Sequence, residues 1–134
     1  MVLKALITLG ILVYGLLVPI LEINSTHVFN PSWPAHAVLH EVWQLITNSM
    51  LALYCLWLTW VKSELFLPSL IGMLVTGGFL LAFLVKDIYG GSMVHPDGSE
   101  VTLMGLNAGV IVFALVFVLF ICAALTAYKK IPRH

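Results

Sequence analysis

Residues 27 to 45, HVFNPSWPAHAVLHEVWQL, gather most of the side chains in this chain that could do chemistry. Three of the five histidines lie there, and His36 is followed at short spacing by His40 and Glu41. A histidine next to a carboxylate supplies two of the residue types that donate and accept protons in enzymes. His40 and Glu41 are therefore the candidate acid and base.

A helix that begins near Pro34 would carry further polar side chains along one side. At 100° per residue, one sector of roughly 140° holds His36, His40, Glu41, Gln44, Thr47, Asn48 and Cys55. The opposite sector is apolar and holds Val42, Ile46, Met50, Leu53, Trp57 and Trp60. Because polar groups in hydrocarbon need partners, we expect the polar sector to face the bundle interior as a pocket open at one rim.

Eight side chains are candidates for binding a substrate in that pocket: His36, Trp43, Gln44, Asn48, Asp87, Tyr89, His95 and Asn107. The first four share the predicted helix of His40. The next three close the third predicted helix or follow it, and Asn107 lies at a depth similar to that of Gln44. Structural alternatives exist, because tryptophans anchor helices at membrane interfaces and buried amides can satisfy each other.

A metal site is the alternative use of the histidines. His36 and His40 are four residues apart, so their side chains project together, and His27 or His95 could add a third ligand. A haem would need an axial histidine and a large cavity, and the sequence carries no attachment motif. A helix start rich in amphipathic side chains explains the pair as well. We therefore expect no resident metal or cofactor.

Composition indicates which segments of the chain form the helices that carry these residues. Hydrophobic residues make up 61% of the 134-residue chain and charged residues only 9%, whereas soluble domains carry roughly 25% charged residues. Charge-free apolar runs cover Ala5–Leu21, Val42–Val61, Leu65–Val85 and Val101–Tyr128. About 20 residues cross a hydrocarbon core, so helices are expected at about 3–22, 36–61, 65–85 and 101–128.

The sequence therefore predicts an all-α, polytopic integral membrane four-helix bundle that forms one domain, residues 1–134. We expect the first run to be a retained helix rather than a signal peptide, because no small-x-small cleavage site follows it. Helix packing could use small residues, at Gly72, Thr76, Gly78, Ala82, Gly105 and Gly109. Packing within the chain is the expectation, and a homo-oligomer is the alternative.

Positive charge sets the expected orientation. One side of the predicted bundle would hold Lys4, Lys62, Lys129, Lys130 and Arg133, and the other only Lys86. Lysine and arginine concentrate in cytoplasmic loops, so both termini are expected to be cytoplasmic. The pattern does not indicate which membrane. With a net charge of zero, nucleic acid is excluded as a partner.

The motif His27-x-Phe-Asn-Pro-x-Trp-Pro-x-His36-Ala-x-x-His40 resembles a signature of small four-helix membrane proteins of unassigned function. The stretch HAVLHEVW is also similar to one in the sterol-isomerase-like membrane bundles. In that family a histidine and a glutamate on adjacent turns transfer protons on a lipophilic substrate. The second resemblance implies the same kind of role for His40 and Glu41.

These patterns favour a small membrane enzyme, an isomerase or cyclase that moves a proton on a lipophilic small molecule of terpenoid, sterol or polyketide type. The alternative is an oligomeric carrier or channel subunit for a small solute or proton, and a structural or accessory subunit is a third interpretation. A carrier should continue its polar lining to the cytoplasmic side. Beyond Asn48 the predicted stripe has only Cys55 and Thr59, which favours a blind pocket.

Overall fold

The computed structural model describes residues 1–95 and 98–129. Within them the elements are α1 (Val2–Glu22), α2 (Ala35–Trp60), α3 (Phe66–Leu84), the short α4 (Lys86–Tyr89), β1 (Thr102–Leu103), β2 (Leu106–Asn107) and α5 (Ala108–Tyr128). The four long helices are long and apolar enough to cross a membrane. The predicted bundle of four helices is confirmed at this level.

Proline shapes the middle of α1. Pro19 has no N–H, so the carbonyl of Gly15, four residues earlier, lacks its usual helical donor. The helix widens to a π-helical segment over Val13–Leu17 just before the proline. Ser49 of α2 donates its hydroxyl to the Gly15 carbonyl at 3.0 Å. The neighbouring helix therefore supplies the donor that the proline removes.

Small residues let the helices approach closely at particular points. A Cβ on Gly15 would lie 2.1 Å from the Cβ of Ala52, which brings α1 and α2 together. Phe120 of α5 is fully buried, and its ring fills the space beside Gly10 and Gly72. The predicted packing role is therefore seen at Gly72.

Two other predicted packing positions are wrong. Nothing lies within 4 Å of a Cβ built on Gly78, so this glycine makes no close helix contact among the described residues. Gly105 is not helical at all, because its φ of 80° places it in a turn. Of the predicted Gly105–Gly109 pair, only Gly109 lies in α5.

The fourth long helix begins at Ala108, and the prediction of a helix from residue 101 is wrong. Instead β1 and β2 form a hairpin in which Thr102 pairs with Asn107. Met104 and Gly105, between the strands, both have positive φ, 54° and 80°. Two such residues in succession make the tight turn whose twist matches that of paired strands.

Candidate functional site

The outer flank of α2 carries an open groove of about 370 Å³ lined by His40, Trp43, Gln44, Thr47 and Asn48. Spacings of three and four residues place these side chains on one side of the helix. No hydrogen bond joins the side chains of Gln44, Thr47 or Asn48 to any other described residue. We call this feature the α2 groove.

Two histidines interact at the outer end of the α2 groove. The Nε2 atoms of His36 and His40 are 3.0 Å apart, and the two rings meet edge to face with centroids 4.5 Å apart. One nitrogen must donate and the other accept, so a proton lies between them. Trp43 stacks on His40 with ring centroids 5.9 Å apart.

The polar sector of α2 does not face the bundle interior as predicted. His36, His40, Gln44 and Thr47 are exposed, and Asn48 is half-buried. The buried side of the helix consists of Leu45, Ala52, Cys55, Leu58 and Thr59. The close approach of Ala52 to Gly15 turns this side toward α1, which leaves most of the polar sector on the flank.

Five of the six side chains of the apolar sector are exposed as expected, and Val42 is half-buried. The side chains of Ile46, Met50, Leu53, Trp57 and Trp60 are all exposed on the outside of α2. The α2 groove therefore lies at the border between the buried seam and this apolar outer surface.

The structure does not bring the candidate acid and base to one site. His40 lines the α2 groove and Glu41 does not. Successive helical residues point about 100° apart, and Glu41 lies close enough to Glu22 of α1 for the two carboxylates to interact. Glu41 is half-buried there.

A second group of titratable side chains lies where the ends of α1 and α2 meet their connections. Glu22 Oε2 is 3.0 Å from His27 Nε2, and the two side chains are 26% and 24% exposed. The His27 ring meets His95 edge to face at 5.1 Å and Trp33 at 5.7 Å between centroids. We call Glu22, His27, Trp33 and His95 the rim cluster.

Hydrogen bonds fix the orientation of His27. Asn24 Oδ1 accepts from the backbone N–H groups of Thr26 and His27 at 2.7 and 3.1 Å. The Thr26 hydroxyl also donates to this oxygen, at 2.7 Å. The lone pairs of the Thr26 hydroxyl oxygen are then free to accept a hydrogen bond from His27 Nδ1, which lies 2.9 Å away. The hydrogen of neutral His27 therefore lies on Nδ1, and Nε2 faces Glu22.

Burial disfavours the protonated form of His27. Loss of water around the ring lowers its pKa, and the neighbouring His95 lowers it further. Sequence reasoning selected His95 as a candidate binding residue and named His27 only as a possible third metal ligand. The turn-forming stretch from Asn24 to His27, one residue after Glu22, was the available local signal. The contact of His27 with His95, however, depends on how two distant connections pack.

The remaining candidates lie away from the α2 groove. Asp87 is exposed and accepts from Lys86 at 2.7 Å. The Tyr89 hydroxyl donates to the Ala82 carbonyl at 2.9 Å and borders a separate cavity of about 210 Å³. Asn107 is not a turn or two inside the helix, because it caps the start of α5.

Among the residues that the structure describes, no third metal ligand accompanies the histidine pair. Among residues 1–95 and 98–129, no group of three or more histidine, cysteine, aspartate or glutamate side chains has the arrangement of a metal site. His36 and His40 therefore offer two nitrogens to a metal ion without a further protein ligand from the described residues.

No family model, curated protein or solved structure matches the chain. The function must therefore be inferred from the chemistry of the site itself.

Proposed function

We propose that the protein is an integral membrane enzyme that performs acid/base chemistry on a lipophilic molecule bound in the α2 groove. Four helices long and apolar enough to span a bilayer support the membrane location. The excess of lysine and arginine near the termini supports cytoplasmic ends.

One observation carries the proposal. The α2 groove sets three hydrogen-bonding side chains, which have no partner among the described residues, beside a pair of histidines on the flank of an otherwise apolar surface. Asn48 is thirteen residues from the start of α2, roughly 20 Å along the helix axis. An amide at that depth in a bilayer requires a hydrogen-bonding partner. A molecule that enters sideways from the lipid supplies it.

The residues at the α2 groove have separate roles in the proposed reaction. His40 takes a proton from one carbon of the bound molecule and returns one to another, and His36 exchanges protons with it across the 3.0 Å contact. Gln44, Thr47 and Asn48 hold the polar end of the molecule. A proton removed and returned changes no oxidation state, so the reaction class is isomerisation or cyclisation. Glu41 faces Glu22 and takes no part.

A carrier for a small solute or proton is less well supported. Its polar lining would have to continue beyond Asn48 toward Lys4. Cys55 and Thr59, the next polar residues of the stripe, are fully buried, and the Thr59 hydroxyl donates to the Cys55 carbonyl at 2.8 Å. The arrangement favours a groove that is closed at its inner end.

The test follows binding and proton transfer separately. Lipophilic molecules that co-purify with the wild-type protein are identified by mass spectrometry, and the same extraction is made from Gln44→Leu. The bound molecule should be enriched in the wild type and depleted in the variant. Purified protein with that molecule in D₂O should then catalyse deuterium incorporation at carbon.

His40→Gln should slow this incorporation about 10²–10⁴-fold, the usual size of a general acid/base contribution. Trp57→Leu, on the apolar outer surface, is the matched control and should leave the rate unchanged. Glu41→Gln should also leave it unchanged, and a loss as large as that of His40→Gln would restore Glu41 as the base. Retention of a molecule without any exchange would favour the carrier instead.

A further inference from the structure

The two histidines at the start of α2 have ring nitrogens that hydrogen-bond only to each other. His36 and His40 lie one turn apart in α2, which begins at Ala35, and both side chains are exposed. Their Nε2 atoms are 3.0 Å apart, and neither ring has another hydrogen-bonding partner among the described residues. An ion that binds both nitrogens therefore displaces one exposed hydrogen bond and no other.

The other described histidines do not offer such a pair of nitrogens. His27 Nε2 lies 3.0 Å from a Glu22 oxygen, and its Nδ1 lies 2.9 Å from the Thr26 hydroxyl. His95 meets the His27 ring edge to face, but no hydrogen bond joins the two imidazoles. Within residues 1–95 and 98–129, the start of α2 is therefore the one place where two imidazole nitrogens are in contact.

The distance between these nitrogens fits two neighbouring positions around a metal ion. Metal–imidazole bonds are about 2.0–2.1 Å long, so nitrogens 3.0 Å apart subtend an angle of about 95° at a shared ion. Two ligands of a tetrahedral ion would lie about 3.4 Å apart at the same bond lengths. An angle close to a right angle is typical of square-planar and tetragonal sites, which Cu²⁺ and Ni²⁺ prefer.

The surroundings of the pair favour an ion that exchanges with the solution. Trp43 stacks on the His40 ring, but its indole N–H is a donor and cannot bind a metal. The described residues supply no third ligand, so water fills the remaining positions. The positive end of the helix dipole also opposes a cation at the first turn of α2. We therefore expect reversible binding rather than a resident cofactor.

We propose that His36 and His40 form a two-histidine site for a divalent transition-metal ion, with Cu²⁺ bound more tightly than Ni²⁺ or Zn²⁺. Binding is independent of the reaction proposed for the α2 groove. Its consequence rests on that proposed function: an ion on His40 Nε2 occupies the lone pair with which this histidine accepts a proton. The ion would therefore inhibit proton transfer.

Copper binding to the full-length, untagged protein in lipid nanodiscs tests the site. The protein is treated with a chelator, freed of it and titrated with Cu²⁺, and binding is followed by calorimetry and by electron paramagnetic resonance. One equivalent of Cu²⁺ per chain should bind, with the spectrum of a tetragonal ion that carries two imidazole nitrogens. Zn²⁺ bound more tightly than Cu²⁺ would contradict the assigned geometry.

Single substitutions separate the pair from the other histidines. His36→Gln and His40→Gln each leave one imidazole, so Cu²⁺ binding should weaken about 10²-fold, a typical gain when two tethered groups bind one partner. His95→Gln is the matched control and should bind Cu²⁺ as the wild type does. Circular dichroism without metal checks that each variant is folded. Unchanged affinity in His36→Gln would overturn the proposal, as would the absence of a bound equivalent in the wild type.

The effect on proton transfer is measured separately from binding. One equivalent of Cu²⁺ should stop deuterium incorporation by the wild-type protein with its co-purified molecule. Incorporation that continues in the copper-loaded protein would contradict the inhibition and the role of His40 as the base. Copper binding by a protein that incorporates no deuterium even without copper would support the metal site and remove the proposed reaction.

Discussion

At the scale of single residues, the four asparagines of the chain differ in where their hydrogen bonds go. Asn24 and Asn30 bond to the backbone of their own connection, and Asn107 accepts from the Val110 N–H at the start of α5. Asn48 has no such partner among the described residues. Residue type alone could not separate these roles, because capping depends on where a helix begins.

Asn107 is therefore expected to contribute to stability rather than to substrate binding. Asn107→Ala removes the cap and should lower the free energy of unfolding by about 1 kcal/mol, the usual loss for an N-cap. Asn107→Ser keeps a neutral oxygen that can accept from Val110 and should retain most of that stability. Denaturant unfolding in detergent measures both variants. Depletion of the co-purified molecule in Asn107→Ala, with stability unchanged, would instead place this residue in the binding site.

At the scale of helices, the sequence predicts how many there are better than which way they face. Charged side chains are costly in hydrocarbon, so the charge-free runs mark the four long helices. The start of α5 was predicted wrongly, because residues 101–107 carry no charge and yet form a hairpin. The orientation of α2 about its axis was also predicted wrongly, because a helical wheel contains no information about the close approach of Gly15 and Ala52.

In the candidate site, too, contacts set by local spacing were predicted and contacts that depend on packing between elements were not. His36, His40, Trp43 and Gln44 were predicted to lie together, and they do, because spacings of three and four residues fix neighbours on one helix. The pairing of His27 with His95 required the packing of two connections, which no local pattern specifies. The sequence therefore predicted side-chain contacts within one helix, but it did not predict contacts between two connections.

The contact between α1 and α2 makes a prediction that compares two helical glycines. Gly15→Ala would place a methyl group 2.1 Å from the Cβ of Ala52, so the helices must separate. Such overpacking typically costs about 1–3 kcal/mol. Gly78→Ala, with nothing within 4 Å of the new methyl, is the matched control and should be neutral or stabilising. Equal unfolding midpoints for the two variants would contradict the close α1–α2 contact.

At the scale of the whole molecule, the two ends of the bundle carry different chemistry. At one end Lys4 donates to Ser63 at 3.0 Å, and Lys62 lies over the Trp57 ring at 5.0 Å. Lysines beside tryptophans are typical of a membrane interface, where the ammonium group reaches water and the ring stays at headgroup depth. The rim cluster and the histidine pair belong to the opposite end.

This difference leads to a test of the proposed orientation. Ser99 lies in the connection at the rim-cluster end, and Ser63 lies at the lysine end, so a cysteine at each position samples opposite sides of the membrane. In intact cells, an impermeant thiol reagent should label Ser99→Cys and leave Ser63→Cys unlabelled until the membrane is permeabilised. The parent chain is the control, because Cys55 is buried and Cys122 lies within α5. Labelling of Ser63→Cys alone in intact cells would reverse the orientation, and it would place the α2 groove and the rim cluster at the cytoplasmic face.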